Sequence, residues 1–138
     1  MRSRAFLPML MILAISALSF GQEYQPKFKG DPAKSDSEAA ALGFMRTVVT
    51  AQKNYHSKHN AYAPSLQALA GTGSITRRTV ASNKRGDYTA SFKSEHDGYQ
   101  LTMTPDHVDA THRAFFVDQS GKIKAEEDKA ATEGSPAA

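Results

Sequence analysis

From Asp36 onward the apolar residues of the chain recur first with a helical period and then with a strand period. Ala41, Met45, Val48, Gln52 and Tyr55 follow one another at steps of four, three, four and three, with Leu42, Val49 and His56 beside them. That spacing places them on one face of a helix with about 3.6 residues per turn. Arg46, Lys53 and Lys58 fall largely off the stripe. The pattern predicts a helix from about Asp36 to Lys58. Asp36 or Ser37 can cap it by accepting bonds from the free N–H groups of its first turn.

Asn60-Ala61-Tyr62-Ala63-Pro64 ends this helix, because Pro64 cannot continue one and drives Ala63 into an extended conformation. The following "SLQALAG" predicts a short helical turn closed by Gly71, with Leu66 and Leu69 facing inward. Downstream the period changes to two. "DYTASFK" sets Tyr88, Ala90 and Phe92 on one face, and "GYQLTMTP" sets Tyr99, Leu101 and Met103 on one face. "RAFFVDQSGKIKA" reads as an apolar strand, an Asp118–Gly121 turn and a short strand around Ile123. Asp first and Gly fourth suit a type I turn.

A helix with one apolar face needs a cover, and the strands supply it. The expected architecture is α+β, with one long N-terminal helix packed across a three- to four-stranded antiparallel meander. Its expected core is Met45, Val48, Gln52 and Tyr55 from the helix, Tyr62 and Leu66 from the corner, and Tyr99, Leu101, Phe116 and Ile123 from the strands. In particular, Val48 and Tyr55 are expected to face Tyr99, Leu101 and Phe116.

The ends of the chain change the picture. "MRSRAFLPMLMILAISALSFGQ" combines a basic start at Arg2 and Arg4, an uncharged apolar run from Ala5 to Phe20, and small residues at Ser19 and Gly21. This is the three-part pattern of a secretory signal peptide, cut between Gly21 and Gln22. As a helix the run spans about 24 Å, short of the roughly 30 Å hydrocarbon core of a bilayer. Retention as an inner-membrane anchor through residues 5–20 is the alternative. No Cys follows the run, which excludes a lipoprotein anchor.

Residues 22–35 carry Pro, Gly and Lys and read as a linker. Residues 125–138 are charged and then small, without apolar period, and are expected to be disordered. The globular domain is then 36–124.

Export also resets the charge. The chain of 138 residues has 17 Lys+Arg and 14 Asp+Glu. Removing residues 1–21 takes away two arginines and no acid, leaving 15 against 14. A nucleic-acid reader is not expected at that balance. The chain has no Cys, so neither disulfides nor thiolate metal sites enter.

Candidate chemistry is sparse. His56 and His59 lie three apart on the helix, while Asp106, His107, Asp109 and His112 share a loop. Imidazoles and carboxylates ligate zinc when three or four converge. No tight ligand motif is present, and solvated loop polarity is the expected role, so no cofactor or metal is assigned. Gly71 to Ser74 lacks the Lys-Ser/Thr of a phosphate loop. Arg77-Arg78 and Lys84-Arg85 are candidates for a small basic patch toward anionic polymers or lipid headgroups, though a solvated loop fits them better. Arg85-Gly86-Asp87 reads as a turn leading into the Tyr88 strand.

Together these residues carry a family resemblance. Arg46-Thr47, Thr50-Ala51-Gln52, Tyr55, the Tyr62 to Leu66 corner, Gly98-Tyr99 and the Phe115 to Ile123 hairpin occur in order over most of 38–124. This set resembles the soluble part of type IV pilin-like and type II secretion pseudopilin proteins. The usual prepilin leader is missing: Gly21 follows the apolar run, and the run has no Glu. The resemblance implies a pilin-like head on an ordinary secretion signal. It implies a non-enzymatic envelope protein whose partners are other envelope, pilus or secretion proteins. The alternative is a small periplasmic metal- or ligand-binding protein using the loop histidines.

Overall fold

The computed structural model describes residues 23–138. The expected signal, its Gly21–Gln22 cleavage point and the anchor alternative lie outside the described residues. Helix α1 spans Asp36–His59 and lies across an antiparallel sheet of five strands: β1 (Lys84–Arg85), β2 (Tyr88–Glu95), β3 (Gly98–Pro105), β4 (Ala114–Asp118) and β5 (Lys124–Glu126). The strands are ordered in space as in sequence, so every connection is local. Two short helices, α2 (Leu66–Leu69) and α3 (Arg77–Val80), join α1 to the sheet. The fold class is α+β. Among the described residues, no helix is long and apolar enough to cross a membrane.

Two features differ from the sequence reading. The sheet has five strands, because Lys84–Arg85, read as a loop, pair with Tyr88 and Thr89 across a tight turn at Gly86 and Asp87. Gly86 has φ +60, a conformation that favours glycine. The long helix is also not N-terminal, since residues 23–35 precede it as an ordered loop rather than an extended linker. Asp31 organises that loop. Its carboxylate accepts from the hydroxyl of Tyr24 and from the backbone N–H groups of Lys27 and Ala33, each of the latter at 3.0 Å. Those hydrogen bonds, led by the Lys27 amide, hold the Asp31 carboxyl below the usual range.

The true N-cap of α1 is Ser35, whose Oγ accepts from the Glu38 N–H at 3.1 Å. Ser35-Asp36-Ser37-Glu38 has the spacing of a capping box. Glu38 departs from it by reaching past the cap residue to accept from the Lys34 N–H at 3.0 Å. At the other end Asn60 takes the left-handed conformation, φ 54, and returns its N–H to His56 O at 2.8 Å.

The main core lies between α1 and one face of the sheet. Ala41, Leu42, Met45, Val48 and Ala51 pack against Tyr88, Tyr99, Leu101, Met103, Phe115 and Val117, all buried. Tyr55, Tyr62, Leu66 and Ile123 are half-buried at its margin. Phe44, outside the expected stripe, is also buried, under the guanidinium of Arg85 at 4.5 Å from the ring centre. The register explains the inward set: Phe92 faces Leu101, Leu101 faces Val117, and Met103 faces Phe115.

Phe116 is therefore on the opposite face, opposite Thr102, and the expected contact with Val48 is replaced by Phe115 and Val117. Four successive apolar residues carry no period of two, so the sequence alone could not say which pair pointed inward. Phe116 is buried all the same. With Ala114, Ala131 and Val108 it forms a second small cluster on the outer face of the sheet.

Ala131 comes from residues 125–138, which are ordered here and not a disordered tail. Ala125 continues β5, and Pro136–Ala138 return beside that strand. Backbone pairing with β5, which composition cannot register, fixes the segment.

Candidate functional site

The corner after α1 is a packing device. Gln52, fully buried on the apolar stripe, holds both polar groups of Ala63: its Oε1 accepts from the Ala63 N–H at 2.8 Å and its Nε2 donates to Ala63 O at 3.2 Å. An amide side chain thus replaces the ladder partner that Ala63 lacks before Pro64. Ser65 caps α2 by accepting from the Ala68 N–H. Tyr62 lies edge-on to Tyr99, ring centres 5.4 Å apart, and stacks obliquely on His56 at 4.4 Å. His59 stacks on Tyr55 in the same way at 4.2 Å. Both helix histidines therefore serve as aromatic cover. Beside them a hollow of about 340 Å³ opens between the helix end and the β2–β3 turn, lined by His56, Tyr62, Glu95 and Asp97.

The four loop residues singled out by sequence do gather. Asp106, His107, Asp109 and His112 line one shallow hollow of about 230 Å³, joined by Asp87 from the β1–β2 turn. His112 Nε2 lies 3.4 Å from Asp87 Oδ2, and its Nδ1 lies 3.1 Å from Asp109 Oδ1. Asp109 closes the Asp109–His112 turn by accepting from the Thr111 N–H at 2.9 Å, and its carboxyl lies below the usual range through that bond and through His112. Asp106 is engaged elsewhere, by Lys84 Nζ at 3.0 Å. His107 stays exposed at the rim.

Chemically this arrangement is a clasp. Each ring nitrogen of His112 faces a carboxylate from a different loop, so the imidazole ties the β1–β2 turn to the β3–β4 connection. Among the described residues, no group of three His, Cys, Asp or Glu is placed to hold a metal ion. The basic residues considered as a patch are likewise used internally in part. Arg85 covers Phe44 and donates to Thr79 O, and Lys84 pairs with Asp106, while Arg77 and Arg78 remain exposed on α3.

Sequence reasoning missed a buried ion pair between Glu38 and Arg113. Glu38 is fully buried and Arg113 is 6% exposed. The Glu38 carboxylate accepts from Arg113 Nη2 at 2.8 Å, Arg113 Nε at 3.2 Å and the Arg113 backbone N–H at 2.9 Å. Arg113 Nη2 also donates to Pro32 O at 2.7 Å, and Arg113 O accepts from the buried Tyr88 hydroxyl at 2.7 Å. The start of α1 is thereby locked to the start of β4. The capping-box spacing of Ser35 and Glu38 was the available signal for one partner. Nothing local marks Arg113 as buried.

No family model, curated protein or solved structure matches the chain.

Proposed function

We propose that the chain is an exported, non-enzymatic component of the bacterial cell envelope. Its pilin-like or pseudopilin-like head serves as a structural or protein-interaction part of a secretion or pilus apparatus. The observation that carries this reading is the Tyr62–Leu66 corner. The motif that supports the resemblance is spent on tying the long helix to the corner after it, through Gln52 and Ala63, and on setting that corner against the sheet, through Tyr62 and Tyr99. The clasp supports the non-enzymatic part: the best-placed histidine, His112, has both ring nitrogens directed at carboxylates that join two loops. Its partners are other envelope proteins, not nucleic acid. Membrane contact is confined to the N-terminal segment if that segment is retained.

Fractionation of cells that make the protein natively, followed by N-terminal sequencing and in-cell crosslinking, tests the proposal. The expected result is a chain beginning at Gln22, recovered from the envelope and crosslinked to envelope assembly proteins. Recovery from the cytosol with Met1 intact refutes it. The ligand-binding alternative rests on Asp106, His107, Asp109 and His112 sharing one hollow. Calorimetric titration with zinc decides it: stoichiometric binding that is lost in His107→Ala and His112→Ala would install that reading instead.

A further inference from the structure

The outer edge of β5 is filled by the chain's own last described residues. After the exposed run 127–130, Ala131 and Ser135 are buried and bracket a turn closed by the Ser135 N–H donating to Thr132 O at 3.0 Å. Pro136–Ala138 then run antiparallel to β5. The Ala125 N–H donates to Pro136 O at 2.8 Å, the Ala138 N–H donates to Ile123 O at 3.0 Å, and Lys124 stands opposite Ala137. Lys124 Nζ adds a bond to Glu133 O at 3.3 Å. The segment also lays Ala131 over Phe116 and Ala114 on the outer face.

Most of what holds this segment is backbone pairing and two small buried side chains. "ATEGSPAA", residues 131–138, has no large apolar residue. Lifting it would leave the Ala125 N–H and Ile123 C=O unpaired and uncover Phe116, which is the makeup of a strand-addition site. A second copy carries a segment of identical chemistry. Extended, the four-residue link 127–130 reaches about 13 Å, enough to cross to a copy abutting the β5 edge.

The geometry points to this edge as a strand-exchange site: residues 131–138 of one copy seat on β5 and over Phe116 of another, giving a reciprocal dimer. The inference is independent of the envelope reading. Intramolecular seating competes at an effective concentration of about millimolar for so short a link, so exchange is favoured where copies are crowded or held side by side.

Because the chain has no Cys, engineered thiols report the pairing without background from native ones. Lys124 and Ala137 form a non-hydrogen-bonded antiparallel pair, whose spacing of about 4.5 Å suits a disulfide. Full-length Lys124→Cys and Ala137→Cys chains are mixed near millimolar concentration and oxidised. A Lys124→Cys and Lys29→Cys mixture reports random collision. The double variant Lys124→Cys/Ala137→Cys, oxidised when dilute, reports the intramolecular seat. The expected result is rapid closure of the double variant, and a mixed 124–137 disulfide at least about tenfold more abundant than the control crosslink, falling away on dilution below the effective concentration. A double variant that closes while the mixed pair matches the control would overturn the exchange. A double variant that fails to close would overturn the seating itself.

Discussion

Removing Glu38 is expected to destabilise the domain more than any change at its surface. In Glu38→Ala the Arg113 guanidinium stays buried with Pro32 O as its remaining hydrogen-bond acceptor. The backbone N–H groups of Lys34 and Arg113 lose their acceptor as well. Breaking a buried ion pair from one side costs about 3–5 kcal/mol, chiefly because the surviving charge is uncompensated. Each orphaned N–H that water cannot reach adds about 1–3 kcal/mol, so the upper part of that range is expected. Against a typical stability of about 5–15 kcal/mol, this approaches loss of the fold.

Glu38→Met/Arg113→Met removes the stranded charge but not the two backbone orphans. It should therefore be more stable than Glu38→Ala and less stable than the native chain. Lys34→Ala breaks an exposed pair with Glu127, 2.8 Å in length, and should cost no more than about 1 kcal/mol. Urea melts of the four proteins, compared with one another, supply the numbers. If Glu38→Ala melts within about 0.5 kcal/mol of the native chain, the pair does not lock α1 to β4 and the reasoning fails.

Val48→Ala should cost about 1–3 kcal/mol, because it opens a void under a fully buried side chain. Lys53→Ala and Lys58→Ala, both exposed, should stay within about 0.5 kcal/mol in the same melts. At high pH the tyrosines set a limit. Burial pushes Tyr99 up to about 12, the Asp31 hydrogen bond pushes Tyr24 to about 12, and burial raises Tyr88 further. A native pKa raised above the unfolded value gives stability that is complete below pH 10.0 and is lost as pH climbs toward 12. Tyrosinate absorbance and circular dichroism should therefore change together for these residues. Ionisation of Tyr88 and Tyr99 near pH 10 with the fold intact would contradict the burial argument.

The sequence by itself determined the elements whose periodicity is clean. The stripe through Ala41, Met45, Val48 and Gln52 established α1 and its buried face, and strict alternation established the inward residues of β2 and β3. The corner was legible because Pro64 restricts the backbone whatever surrounds it. The Asp118 turn was legible for a similar local reason, and Gly121 N–H does donate to Asp118 O at 3.0 Å.

What only the tertiary structure decided are contacts between residues far apart in the chain. Phe115 and Phe116 divide between two faces because the β3 register sets the pleat; Phe115 is buried in the main core, and Phe116 is buried because the 131–138 segment covers the outer side. Glu38 and Arg113 are separated by 75 positions, so neither one's local pattern could announce the other. The loop carboxylates were visible as a group, but Asp87 joined them only through the β1–β2 turn. Residues 131–138 have little apolar surface of their own. They are ordered because an edge strand offers unpaired backbone groups, and that offer exists only after the sheet has formed.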